Sequence, residues 1–290
     1  MSSSYFHSAL VLSKIRITVM VAVTTSSGFI LANGKPAVGM ITAVLGIFLL
    51  ACGSSVINQL QEIRTDALMD RTKNRPLPAG LVGKPFAFML AFLEVAAGSL
   101  ILFLFAGTTA GLLGLTALAW YNGVYTPIKK FSAHAVIPGS VIGAIPPLVG
   151  WVAGGGSLTD WHAWVMVSFF FLWQVPHFYL LALKYGKQYE AAGFPTILSW
   201  YSPLEGARLV YYWVMATSVS AILLWRVGFI TSMPGIVMLL AGILTLNIYF
   251  LKPVVRKEYE FKPITFFHRI NLFVLLVILL LSFDKLPAWG

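Results

Sequence analysis

Long apolar runs separated by short polar segments organise this chain, and their length sets the class of structure. Nine runs, at about 16–34, 38–57, 86–106, 108–125, 134–154, 161–184, 208–228, 231–251 and 264–283, can each cross a hydrocarbon core of ~30 Å as a helix of about 20 residues. The pattern predicts an all-α polytopic membrane protein with about nine transmembrane helices. The longest polar stretches, 58–85 and 184–207, leave no room for a soluble domain, and no low-complexity linker divides the chain. One membrane domain over 1–290 is expected. These two stretches follow the second and sixth runs, four spans apart, so they fall on one side of the membrane and are free to face one another over a shared cavity.

The segment Asn58–Leu77, NQLQEIRTDALMDRTKNRPL, departs furthest from its surroundings. It concentrates three acids and four bases in a chain of which 10% of residues are charged. Bases beside a span are ordinary on the cytoplasmic side, but Asp and Glu contribute little to topology, so the acids need another explanation. Asn58, Glu62 and Asp66 recur every four residues and share one helix face as a ladder of oxygen ligands. Asp70 drifts off that face, because each four-residue step overshoots a 3.6-residue turn by about 40°. Mg²⁺ is commonly held by one or two carboxylates plus substrate phosphates, and Arg71, Lys73 and Arg75 follow within reach of the same phosphates. Pro76 and Pro78 end the helical reading near Arg75, since a residue before proline is pushed out of the α region.

Composition supports the membrane reading: 58% of residues are hydrophobic, mean hydropathy is +0.83, and there are nine Trp and 21 Phe. The net charge of +10 follows from topology and carries no nucleic-acid signal. Lys14 and Arg16, the 58–85 stretch, Lys129 and Lys130, the 184–208 stretch and the 252–262 loop hold 16 of the 20 bases. The other side has Lys35, Arg226 and Lys285, and Arg269 lies within the last run. The N-terminus is therefore expected in the cytoplasm and, with an odd number of spans, Gly290 outside. The start MSSSYFHSALVLSK lacks a small-residue cleavage site, so the first span is read as retained. The single cysteine, Cys52, is expected to pack as a small hydrophobe.

Two further segments carry polar or helix-breaking residues into spans. In Tyr121–Trp151, Gly139, Gly143 and Ala144 read as close-packing positions. Pro146–Pro147 frees backbone carbonyls at a depth where only protein or a cavity can cover them. In Phe171–Pro195, Gln174 and His177 are expensive in lipid unless they face the interior. A lone histidine is more often a packed, hydrogen-bonded residue than a ligand; haem ligation and substrate hydrogen bonding are the other readings of His177.

Together the three segments resemble the UbiA-type intramembrane prenyltransferases and, within them, the haem-farnesylating branch. Asn58xxxGlu62xxxAsp66 resembles the first Asp-rich motif of that superfamily, while RTKNRPL at 71–77, GAIPPLVGW at 143–151 and FLWQVPHF at 171–178 look like the haem branch. The likeness runs from LSKIR at 12–16 to AAGFP at 191–195. It implies helices around a central cavity in which Mg²⁺ and two loops hold a prenyl diphosphate. Asn58, Glu62 and Asp66 would bind metal and diphosphate, with Arg16, Arg71, Lys73, Arg75 and Lys129 neutralising phosphate oxygens. Tyr121, Tyr125 and Trp151 are aromatic faces able to stabilise an allylic cation, and Trp173 and His177 would lie nearer the porphyrin.

The implied reaction transfers farnesyl from farnesyl diphosphate to the vinyl group of haem B, a substrate here. Implied partners include membrane lipid and the proteins of haem A synthesis and oxidase assembly, and the implied location is the bacterial cytoplasmic (inner) membrane. Two departures stand out. The first aspartate of the motif is Glu62, and where the second acidic motif has Asp before Tyr189 this chain has Lys187–Gln188. Either Glu190 substitutes as a metal ligand, or this loop meets diphosphate through Lys184, Lys187 and Gln188 with one metal fewer. An enzyme prenylating an aromatic quinone precursor is the alternative reading, and a transporter is the rival from another class.

Overall fold

The computed structural model describes residues 2–255 and 261–284. Lys285, Gly290 and the 256–260 part of the basic 252–262 loop lie outside the described residues. The chain folds into helices α1 Ser2–Leu12, α2 Ile15–Asn33, α3 Val38–Gln61, α4 Ile63–Asp66, α5 Lys84–Ile101, α6 Thr108–Ala119, α7 Thr126–Ile128, α8 Val136–Ala153, α9 Trp161–Ala191, α10 Pro203–Arg226, α11 Met233–Val255 and α12 Pro263–Phe283. Among the described residues, eight are long and apolar enough to span a membrane: α2, α3, α5 with its continuation to Ala106, and α8 to α12. The ninth expected run is helical too, but α6 is only 12 residues long, about 18 Å. It then passes into a π-helical turn, Trp120–Tyr125, where the buried Asn122 donates from Nδ2 to Ser54 Oγ of α3 at 2.6 Å.

Helix ends follow local chemistry. α2 stops at Gly34, whose φ of 77° lets its N–H close back on the Ile30 carbonyl. α9 starts at Asp160, which accepts from the His162 N–H, and α10 starts at a Ser202/Glu205 capping box followed by Pro203. α1 was not foreseen from sequence. It lies against α5, with Tyr5 edge-on to Phe86.

Small residues set the closest approaches. A Cβ on Gly28 would sit 1.9 Å from the Pro147 carbonyl oxygen, and one on Gly150 would sit 1.9 Å from that of Thr25, so α2 and α8 touch backbone to backbone. Pro146 and Pro147 are both buried inside an unbroken α8, in keeping with their expected cover by protein. Gly139 packs under the Tyr125 ring and Gly143 under Gln174. The outer surface is apolar, with Phe88, Phe92, Leu104 and Phe105 all more than 60% exposed, as suits a lipid-facing wall. At 31 residues, α9 is about 46 Å long, more than a hydrocarbon core of ~30 Å requires.

Candidate active site

The charged segment does not form the single helix to Arg75 that its spacing predicts. α3 ends at Gln61, Glu62 leaves the helical region at φ −115°, and one further turn closes at Asp66 before a series of turns begins. The Thr72 hydroxyl donates to the Asp66 carbonyl at 2.8 Å, which fixes that reversal. The ladder survives the break: Asn58 Nδ2 donates to Glu62 Oε2 at 3.1 Å, and Asn58, Glu62 and Asp66 are 2%, 6% and 1% exposed. Asp70 is off that face, exposed and paired with Lys73 at 2.5 Å. Lys73 is thereby held at the surface by Asp70, outside the buried set of charges.

Each buried acid has its own cation. Arg75 Nη1 donates to Asp66 Oδ2 at 2.8 Å, and Lys129 Nζ lies 2.6 Å from Glu62 Oε1. The Lys129 approach is an ion pair without directed hydrogen-bond geometry, so Glu62 Oε1 has no hydrogen-bond partner. Such pairs are strongly coupled in a water-poor setting: removing one member leaves the other uncompensated at about 3–5 kcal/mol. A third cation was missed from sequence, where Lys14 counted only towards topology. Lys14 Nζ donates to Asn58 Oδ1 at 3.2 Å. Desolvation first, then the charges of Arg75 and Lys129, pull its ammonium down to about 7. Arg16, the base expected at the phosphates, is exposed on the first turn of α2, and its side chain has no hydrogen bond or ion pair among the described residues.

The π-helical turn supplies the opposite wall. The extra residue in its turn sets Tyr121 and Tyr125 in a stack at 5.6 Å, continued by Phe178 at 6.1 Å from Tyr125. Tyr121 OH donates to Asn58 Oδ1 at 3.3 Å, and the Thr126 hydroxyl, 1% exposed, accepts from Asn58 Nδ2 at 3.2 Å. Lys129 lies over the Tyr125 ring at 5.4 Å. Asn58 is thus the hub that joins the α1–α2 corner, α3 and the π turn.

The second polar stretch meets the first, as their common side allows. Arg71 stacks over Tyr185 at 4.6 Å, its Nη2 donates to Tyr189 OH at 2.8 Å, and its backbone N–H donates to Gln188 Oε1 at 3.3 Å. Met69, Ala192 and Phe194 close an apolar contact beside them. Because α9 continues to Ala191, residues 184–191 are helix and not loop, and Gln188 and Glu190 point about 200° apart. Glu190 is exposed and accepts from Thr196 Oγ1 at 2.6 Å and Ser199 Oγ at 3.1 Å, on a different side of the helix from Gln188. Lys184 and Lys187 are exposed on other faces of the same helix.

The other three residues expected at the cavity are not among the contacts of the acids. Trp151 stands near the far end of α8, about 22 Å along the axis from Val136, where its Nε1 donates to the Ser157 carbonyl and its ring packs on Phe229. His177 and Trp173 lie in the middle of α9: His177 Nδ1 is 2.8 Å from Asn271 Oδ1 of α12, and its ring contacts Phe267 at 4.6 Å. Trp173 lies 5.4 Å from His177, and its buried Nε1 has no partner; neither has Gln174 Oε1.

The donor set fits a hard cation. The cluster offers carboxylate and amide oxygens with no sulfur or imidazole, and Glu62 Oε1 is buried without a hydrogen bond. The family model for the UbiA prenyltransferase family matches residues 21–278. The chain belongs to the UbiA prenyltransferase family. Within the family, the protoheme IX farnesyltransferase of Oleidesulfovibrio alaskensis is 36% identical over 282 residues, covering 96% of both chains. That of Geobacter sulfurreducens is 36% identical, covering 76% of this chain and 81% of its own. This UbiA-family member is accordingly a membrane-embedded prenyltransferase of the protoheme IX farnesyltransferase branch, which removes the transporter reading. Among solved structures, a chain described as digeranylgeranylglyceryl phosphate synthase superposes with a TM-score of 0.78 at 12% identity, covering 97% of this chain and 98% of that one. A UbiA homologue from Archaeoglobus fulgidus bound to GPP and Mg²⁺ gives 0.66 at 16% identity, covering 96% and 99%. At such identities the likeness concerns the fold alone.

Proposed function

We propose that this enzyme transfers a farnesyl group from farnesyl diphosphate to the vinyl group of haem B, giving haem O for terminal oxidases. The observation that carries the reading is the buried cluster in which Asn58, Glu62 and Asp66 stand against Lys14, Arg75 and Lys129. The names of the relatives support haem B as the acceptor. Asn58, Glu62 and Asp66 would hold Mg²⁺, which when bound supplies charge for the departing diphosphate. Lys14, Arg75, Lys129 and Arg71 bind phosphate oxygens and stabilise the negative charge that gathers as the allylic C–O bond breaks and its electron pair leaves with the diphosphate. Tyr121, Tyr125 and Phe178 present stacked ring faces beside that charge, suited to the allylic cation and to excluding water until the vinyl carbon attacks. Trp173 and His177 border the acceptor. That attack leaves a cation on the carbon next to the porphyrin ring, and water adds there and loses a proton to give the hydroxyl of the hydroxyethylfarnesyl product.

The whole chain acts as one membrane domain with its N-terminus, the charged cluster and the end of α9 on the cytoplasmic side, in the bacterial inner membrane. Purified protein given haem B, farnesyl diphosphate and Mg²⁺ is expected to yield a farnesylated hydroxyethyl porphyrin by mass spectrometry. Active diphosphate release with no modified porphyrin would overturn the choice of acceptor.

A further inference from the structure

Behind the charged cluster, on the other side of α3, lies a second set of polar groups that the reaction does not use. Gln59, 1% exposed, donates from Nε2 to the Leu12 carbonyl at 2.6 Å. Glu94 lies ten residues into α5, about 15 Å along a membrane-spanning helix, where a carboxyl group is expensive. Its Oε1 is 2.6 Å from Ser13 Oγ, and its Oε2 is buried without a partner. The two side chains grip consecutive residues, Leu12 and Ser13, which are 0% and 2% exposed. The next residue is Lys14, at φ 48° and ψ 47°, the sole non-glycine among the described residues with positive φ. A left-handed conformation costs such a residue about 1–3 kcal/mol and persists only where the surroundings over-determine it. Here it turns the chain from α1 into α2 and brings Lys14 Nζ to Asn58 Oδ1. Gln59 and Asn58, about 100° apart on α3, hold the two ends of this arrangement: one grips the corner, the other meets the ammonium that the corner delivers.

We propose that Gln59 and Glu94 are positioning residues: they clamp the Leu12–Ser13 corner so that Lys14 is held in its strained conformation and delivers its ammonium to the diphosphate site. Neither touches substrate. The proposal rests on the diphosphate reading of the cluster, and its test is arranged to tell the two apart. Full-length purified enzyme carrying Gln59→Leu, Glu94→Leu, Ser13→Ala, Lys14→Gln, or each of the first three combined with Lys14→Gln, is assayed for three quantities. These are KM for farnesyl diphosphate, kcat, and the binding of inorganic diphosphate with Mg²⁺.

On the wild-type background, Gln59→Leu, Glu94→Leu and Ser13→Ala are each expected to raise KM and weaken diphosphate binding roughly tenfold, the size of one hydrogen bond to a charged group. On the Lys14→Gln background the same substitutions are expected to add nothing, because the group they position is gone. Glu94→Gln, whose amide still pairs with the Ser13 hydroxyl, is expected to restore near wild-type binding. Additive losses in the Lys14→Gln background, or a fall in thermal midpoint with KM unchanged, would overturn the clamp while leaving the diphosphate site intact. A Lys14→Gln enzyme that binds diphosphate as well as wild type would overturn both.

Discussion

At the scale of single residues, the site is a set of charges in which every acid has a nearby base. Removing the Glu62 carboxylate leaves Lys129 without the counter-charge 2.6 Å away and takes away a proposed Mg²⁺ ligand. Glu62→Gln is therefore expected to lower kcat/KM for prenyl transfer by on the order of 10²-fold or more, measured by product formation at saturating haem B. Lys129→Met should do comparable damage from the other side of the pair. Gln188→Asp tests the missing second motif. Gln188 Oε1 is engaged by the Arg71 main chain, so the substitution is expected to leave the Mg²⁺ dependence of turnover unchanged; a new, tighter metal requirement would show that the position is a vacant ligand site. The Asn58–Glu62–Asp66 ladder was legible because four-residue spacing survives a local break in the helix. Lys14 was not, because a single left-handed residue reverses the direction a side chain takes, and nothing in the letters LSKIR encodes it. The choice between Glu190 and Gln188 was hidden by reading 184–191 as a loop, where two residues of separation imply no fixed angle.

At the scale of elements, the sequence located the spans well and their ends less well. Apolar length is a strong signal, whereas KYGKQYE at 184–190 looks like a loop by composition although it continues α9, held by Gly186 packing closely under Leu198. The π-helical turn was also invisible, since its WYNGVY sequence has no periodicity that separates it from α-helix. The contact between α2 and α8 is the most demanding in the fold. Gly150→Ala would place a methyl 1.9 Å from the Thr25 carbonyl oxygen, against backbone that has no rotamer to change. It is expected to destabilise the protein by roughly 1–3 kcal/mol, read as a lowered midpoint of thermal unfolding in detergent. Gly123→Ala, where an added Cβ meets nothing within 4 Å, is the control expected to be silent in the same assay.

At the scale of the whole molecule, the buried Cys52, the one cysteine of the chain, offers a quiet background for testing orientation. Ala79→Cys is expected to react with an impermeant maleimide only from the cytoplasmic face, and Ser157→Cys only from the opposite one; the reverse pattern would invert the topology. The run 108–125 falls outside the eight long apolar helices because the π-helical turn at Trp120–Tyr125 interrupts its α-helix, a break that apolar length does not register. The meeting of the two polar stretches at Arg71, Gln188 and Tyr189 was legible only as a shared side of the membrane, since periodicity carries no information about which helix ends touch. The paired charges also have a thermodynamic meaning. A divalent ion arriving alone finds its carboxylates already occupied by Lys129 and Arg75, and a diphosphate arriving alone finds those cations already occupied by carboxylates. Arriving together, the two ligands let every charge exchange partners at once, and linkage requires each to tighten the other by the same factor. Titration with Mn²⁺ is accordingly expected to give weak binding to the enzyme by itself and markedly tighter binding once inorganic diphosphate is present, with the reciprocal titration showing an equal gain.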